Sequence, residues 1–253
     1  MKQFETYTAL KNALEDAMHP LSSTTENPEL ERLLQTMMTE IKATGDEAVM
    51  AYTLRFDHLH APETFQLKVT QEETDAAYER IDKRYVQALQ EAHDRIEDFH
   101  DKQRPQSIDY TEDGIRYGLR YTPIDRVGLY VPGGLASYPS SVLMNAIPAK
   151  LAGVEDLVMV TPPNREGTLS DEVLVAAQLC GISTIYKVGG AQAVFGLAFG
   201  TEMMTAVDKI VGPGNLYVTK AKQMVYGTVD IDKPAGPSEV LVYCHDEKYA
   251  AYA

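Results

Sequence analysis

The sequence predicts an α/β protein, with a doubly wound parallel sheet over residues 126–240 behind a mostly helical, incomplete α/β region over residues 1–125. Three observations predict it. Val127, Leu129 and Val131 form a short apolar run that ends in a Pro-Gly-Gly turn and opens a helix carrying Val142, Leu143, Ala146 and Ile147. The same grammar returns at Thr184–Val188, Gly189-Gly190 and the helix Ala191–Phe199, and again at Asp208–Val211, Gly212-Pro213-Gly214-Asn215 and the helix Leu216–Tyr226. A fourth loop, Ile231–Ser238, leads into a predicted strand Glu239–Tyr243. Strands alternating with helices imply parallel βαβ units, and sheets of that kind bind ligands at the carboxyl ends of their strands.

In chain order, Leu30, Leu33, Leu34, Met37, Met38 and Ile41 follow helical spacing, as do Tyr85, Leu89, Ala92, Ile96 and Phe99. Thr44-Gly45 and Asp57–Pro62 read as breaks between helices. Phe65–Val69 alternates apolar and polar residues and predicts a short strand. Thr70 begins a capping box that starts a helix over Glu72–Ile81, satisfying N–H groups with no partner of their own. Pro105 ends the long helix, and Ser107–Tyr121 alternates around Asp113-Gly114, a hairpin turn signal. Pro148 falls inside the first helix of the second region and should kink it. The boundary between the regions is placed near residue 125, and residues 241–253 begin a return segment toward the first region.

Bulk properties narrow the classes. A chain of 253 residues is long enough for two domains, and no apolar run approaches the roughly 20 residues that cross a bilayer. Net charge is −14, so a nucleic-acid partner is not expected. The acidity is uneven: residues 1–122 hold 14 Lys+Arg against 24 Asp+Glu, the rest 9 against 13. Much of the excess in the first half reads as solvated helix faces. The N-terminus is amphipathic and acidic, unlike a secretory signal, and Cys180 and Cys244 lack metal or disulfide spacing, which together point to a reducing cytoplasm.

Glycine turns at strand ends, each followed by a helix N-terminus, attract anions. The usual dinucleotide fingerprint G-x-G-x-x-G is absent, with Gly212-Pro213-Gly214 supplying a fragment, so a nucleotide site must rest on several loops together. Gly133 and Gly134 are expected to permit close backbone approach to a ligand, although ordinary turn glycines read the same way. The histidines offer no zinc set: His58 and His60 read as loop surface, and His93 and His100 as a solvated helix face.

The segments VGLYVPGG, YPSSVLM, AAQLCG, VGGAQA, LAFGT, VDKIVGPGN and PAGPSEVLV, in that order and at close spacing, resemble histidinol dehydrogenase. The likeness is tightest from Val127 to Val242 and corresponds to roughly the first three-fifths of that family's polypeptide. It implies a Rossmann-like fold and a zinc-dependent homodimer that oxidises L-histidinol through L-histidinal to L-histidine with two NAD. By resemblance Tyr130, Gln192 and Asn215 touch NAD and Ser238 touches the substrate, while the zinc ligands and a Glu-His pair of bases lie downstream. Tyr130 would pack its ring on the nucleotide with its hydroxyl wet, although the residues alone favour a core tyrosine capping the sheet; Gln192 would offer its amide from a first helical turn or bond nearby backbone, and Asn215 would also cap its helix. One departure is Lys233, where the family loop commonly carries an apolar residue; it either points to solvent or adds charge near the cofactor mouth. The alternatives are a non-catalytic nucleotide-binding module and a dehydrogenase of another amino alcohol.

Overall fold

The computed structural model describes residues 6–9, 11–12, 27–57, 59–60, 65–133, 137–234, 244 and 248. Helix α1 (Pro28–Thr44) starts where Asn27 accepts a hydrogen bond from the Leu30 N–H at 3.0 Å, and α2 (Asp46–Phe56) follows directly after Gly45. The capping box opens α3 (Gln71–Arg80), with the side chains of Thr70 and Glu73 each accepting the other's backbone N–H. Helix α4 (Lys83–Asp101) ends before Pro105. The antiparallel hairpin of β1 (Ile108–Glu112) and β2 (Ile115–Leu119) turns at Asp113 and Gly114, whose positive φ values of 50° and 81° suit the tight turn that twisted strands require.

The sheet comprises β3 (Arg126–Tyr130), β4 (Asp156–Thr161), β5 (Thr184–Lys187), β6 (Lys209–Val211) and β7 (Asp230–Ile231), all parallel, in the order β5-β4-β3-β6-β7. Counted from β3, this is 3-2-1-4-5, five strands of the 3-2-1-4-5-6 Rossmann order, and it reverses between β3 and β6. The crossovers are α5 (Pro139–Leu151), α6 (Asp171–Leu179), α7 (Gly190–Phe199) and α8 (Leu216–Val225).

Period-two alternation divides each strand between two cores. Val127, Leu129, Val131, Leu157, Met159 and Ile185 face α4, α5 and α6. Tyr130, Val158, Val160, Tyr186, Val188 and Ile210 face α1, α2, α7 and α8. Each core therefore joins residues from both sides of position 125. Leu34, Met37 and Ile41 of α1 enter one core, and Ala77 and Leu89 enter the other. Gly128 sits where an added Cβ would lie 2.9 Å from Leu197, so its missing side chain lets α7 settle on the central strand.

Two expectations change in detail, the strand at Phe65–Val69 and the solvated face at His93 and His100. Phe65–Val69 is not a full strand; it makes one antiparallel bridge, Lys68 to Tyr186, with Val69 N–H donating to the Ile185 carbonyl at 2.9 Å. This extended segment covers the outer edge of β5, which would otherwise present unpaired backbone. Helix α5 runs through Pro148, and the carbonyl that proline leaves without a donor belongs to Met144, which is exposed and can turn to water. His93 and His100 are half-buried, with His100 Nδ1 2.8 Å from the Ile96 carbonyl, because the apolar stripe of α4 passes beside them. The strand expected at Glu239–Tyr243 and the return segment lie outside the described residues apart from Cys244 and Lys248, as does His58.

Candidate nucleotide-binding cleft

A cleft of about 880 Å³ crosses the carboxyl edge of the sheet. Its floor is made by the turns after β3, β4, β5 and β6, and α1 and the end of α2 add Leu33, Met37, Phe56 and Asp57 as a wall. The volume is within the roughly 300–1,000 Å³ of ordinary ligand pockets, and the position is the one where open parallel sheets bind ligands.

Tyr130, Gln192 and Asn215 all line this cleft, together with Gly133. Tyr130 corrects one expectation: it is 3% exposed, and its hydroxyl accepts a hydrogen bond from the Gly190 N–H at 3.0 Å rather than meeting water. A phenol at the end of β3 thereby pins the turn after β5. Burial is the main reason its pKa is pushed up to about 12, partly offset by the Gly190 hydrogen bond and reinforced by the Asp57 charge. Gln192 stands in the first turn of α7, 1% exposed, with its Nε2 buried and lacking a hydrogen-bond partner among the described residues. Asn215 is the N-cap of α8 and accepts from the Val218 N–H at 3.1 Å, so its carboxamide nitrogen is the part a ligand would use.

The glycines are explained by protein packing before any ligand is considered. A Cβ on Gly133 would lie 2.6 Å from the Pro162 ring, and one on Gly189 would lie 2.5 Å from it. Pro162, directly after β4, is thus wedged between the turns after β3 and β5, which accounts for a glycine at 133 whether or not a ligand approaches it. Gly212 is at φ 117°, and a Cβ there would lie 2.1 Å from the Tyr130 carbonyl oxygen. Lys222, 1% exposed, donates to the Gly212 carbonyl at 3.0 Å and pairs with Asp232, which accepts the Gly212 N–H at 2.9 Å. The turn after β6 is therefore held from both its carbonyl and its amide.

Sequence reasoning missed two parts of the site. The strand β4 and the loop after it carry no glycine turn, since the chain reads Thr161-Pro162-Pro163, yet that loop supplies much of the cleft wall. An apolar run ending in paired prolines was the available signal. Asp57 was read only as part of a helix break; it lines the cleft with its Oδ2 buried and lacking a partner among the described residues, and burial raises its pKa to about 6. No sequence pattern marks a buried aspartate at a helix end. Lys233 is exposed and does not line the cleft, while Ser238 and Gly134 lie outside the described residues.

The cleft is compatible with a dinucleotide: two of its lining residues, Asp57 and Gln192, carry buried polar atoms without a partner among the described residues, and its loops are held by Tyr130, Pro162 and Lys222. It does not suit zinc. Among the described residues, the one cluster with ligand spacing is His93, Asp94 and Glu97 on α4, outside the cleft, with both carboxylates exposed.

A family model described as histidinol dehydrogenase matches residues 21–253. The chain belongs to the histidinol dehydrogenase family. It is 50% identical over 218 residues to the histidinol dehydrogenase of Clostridium acetobutylicum, covering 86% of this chain and 50% of that protein. It is 52% identical over 210 residues to that of Gluconobacter oxydans, covering 83% and 48%. The crystal structure of histidinol dehydrogenase from Elizabethkingia anophelis superposes with a TM-score of 0.79 at 40% identity, over 84% of this chain and 49% of that one. The chain thus spans about half the length of the histidinol dehydrogenases it matches. Its α/β architecture with a five-stranded parallel sheet is shared with the solved histidinol dehydrogenase.

Proposed function

We propose that this chain forms the cofactor-cradling half of a histidinol dehydrogenase, an NAD-dependent enzyme that oxidises L-histidinol to L-histidine in two steps in the cytoplasm. One observation carries the reading. Three residues from separate strand ends, Tyr130, Gln192 and Asn215, meet in one cleft at the reversal of strand order, in a chain of that family. NAD supplies the hydride acceptor. Gln192 and Asn215 supply amide groups to the nucleotide, and the Tyr130 phenol holds the Gly190 turn against it. Ser238 would contact the substrate. By the resemblance, zinc and the catalytic bases belong to the other half of the family's polypeptide. The functional unit is a homodimer.

Calorimetric titration of the 253-residue chain with NAD should show one site per chain, weaker in Gln192→Ala and Asn215→Ala by about tenfold each, the loss expected for a buried polar contact. The same chain should produce no NADH from histidinol, with or without zinc. Unchanged affinity in both variants removes these residues from cofactor binding, and sustained zinc-dependent NADH production places the bases within this half.

A further inference from the structure

We propose that Asp57 is a cofactor-contacting residue that sets dinucleotide specificity, its Oδ2 accepting the hydrogen bond of a ribose 2′-hydroxyl and so opposing a 2′-phosphate. The inference rests on the reading of the cleft as a dinucleotide site. In Rossmann sheets the carboxylate with this role follows the second strand. Here that position is Thr161-Pro162-Pro163, with no acid. The next acid along the loop, Glu166, is exposed at the rim.

Asp57 reaches the cleft from the other side, at the end of α2, where its N–H closes the helix on the Thr53 carbonyl at 3.0 Å. Three buried side-chain atoms lack a hydrogen-bond partner among the described residues, and two of them, Asp57 Oδ2 and Gln192 Nε2, belong to residues lining the cleft. One is an acceptor and the other a donor. Both are associated with the Tyr130 phenol: its hydroxyl binds Gly190, two residues before Gln192, and its titration feels the Asp57 charge. An orphaned acceptor and an orphaned donor on residues lining one cleft match a vicinal diol, since each hydroxyl can donate to the carboxylate and accept from the amide. A phosphate in place of the 2′-hydroxyl offers no proton to Asp57 at neutral pH and brings like charge against a half-buried carboxylate. The segment is also anchored: the His60 N–H donates to the Arg165 carbonyl at 2.8 Å, tying the chain just beyond Asp57 to the loop after β4.

The test is calorimetric titration of the 253-residue chain with NAD, NADP and 2′-deoxy-NAD, in the wild type and in Asp57→Asn and Asp57→Ser. The wild type should favour NAD over each of the other two by about tenfold or more. Asp57→Ser should bring NAD and 2′-deoxy-NAD within about threefold of each other, and both variants should narrow the gap between NAD and NADP. A circular-dichroism melt confirms that each variant is folded. An unchanged NAD-to-NADP ratio in folded variants overturns the role of Asp57 and leaves the cofactor reading standing. Equal wild-type affinities for NAD and 2′-deoxy-NAD overturn it without any variant. If the wild type binds none of the three, the cofactor reading fails and the specificity role fails with it.

Discussion

The hairpin of β1 and β2 and the parallel strand β3 are both five-residue segments with alternating apolar side chains, yet they end in opposite environments. In β3 four of five residues are buried, and in the hairpin every residue is exposed. The difference lies in what the chain supplies on either side. β3 is flanked by β4 and β6 and covered by helices on both faces, so both sets of its side chains become core. The hairpin pairs Ile108 with Leu119 and Tyr110 with Tyr117, placing an apolar row on one face with Asp109, Thr111 and Arg116 on the other. No described element covers that row. Alternation alone states which residues share a face; cover decides whether that face is interior.

The largest effect expected is at the best-covered end of the comparison, where β3 meets the turn after β6. Gly212→Ala would drive a Cβ against the Tyr130 carbonyl and force a side chain into φ 117°. We expect a loss on the order of 4 kcal/mol or failure to fold, since clash and backbone strain add. Next comes Lys222→Ala, which removes the ammonium shared by Asp232 and the Gly212 carbonyl, for about 3 kcal/mol. Urea denaturation followed by circular dichroism measures both. A loss below about 1 kcal/mol in either would mean that the turn is not held as tightly as its hydrogen bonds imply.

These contacts also show what could be read in advance. The strands β3, β5 and β6 were legible because each ends in a glycine turn, and the capping box at Thr70 because its two partners are three residues apart. Gathering Tyr130, Gln192 and Asn215 followed from placing three strand ends together. What escaped was non-local. The loop after β4 gains its role from Pro162 packing on Gly133 and Gly189, and Asp57 from being folded over the cleft by a helix 73 residues before Tyr130. The wet hydroxyl expected for Tyr130 was wrong for the same reason, because its partner Gly190 lies 60 residues away.

Asp57 offers a smaller effect with the opposite sign. Its pKa rises from 3.8 to about 6 on folding, chiefly through burial, so the folded state holds its proton more tightly than the unfolded one. Stability is therefore unaffected below pH 4, falls as pH rises between 4 and 6, and stays reduced above 6. Asp57→Asn removes that penalty. After discounting for the partly exposed carboxylate, the variant should gain roughly 1–2 kcal/mol at pH 7.5, seen as a rise of about 2–6 °C in melting temperature. The gain should vanish near pH 4. An equal gain at both pH values would mean that something other than ionisation is relieved, and no gain would mean that the carboxylate is satisfied in solution.

The least effect on stability is expected in the hairpin, and there the comparison sharpens. Tyr117 is 42% exposed and stacks on Tyr110 with ring centroids 5.1 Å apart, while Ile115 is 57% exposed. With solvent on both faces, Ile115→Lys should change folding stability by less than about 0.5 kcal/mol, against the 2–5 kcal/mol that truncating Leu129 to alanine in β3 should remove. Association should respond instead. An uncovered row of Ile108, Tyr110, Ile115, Tyr117 and Leu119 promotes contact between molecules, so the 253-residue chain should form oligomers as concentration rises. Multi-angle light scattering should show the midpoint of that rise moving to higher concentration in Ile115→Lys, with dye binding to exposed apolar surface reduced in parallel. A wild-type chain that stays monomeric at all concentrations, without dye binding, would show that the row is covered in solution. A destabilisation above about 1 kcal/mol in Ile115→Lys would place that cover within the chain itself.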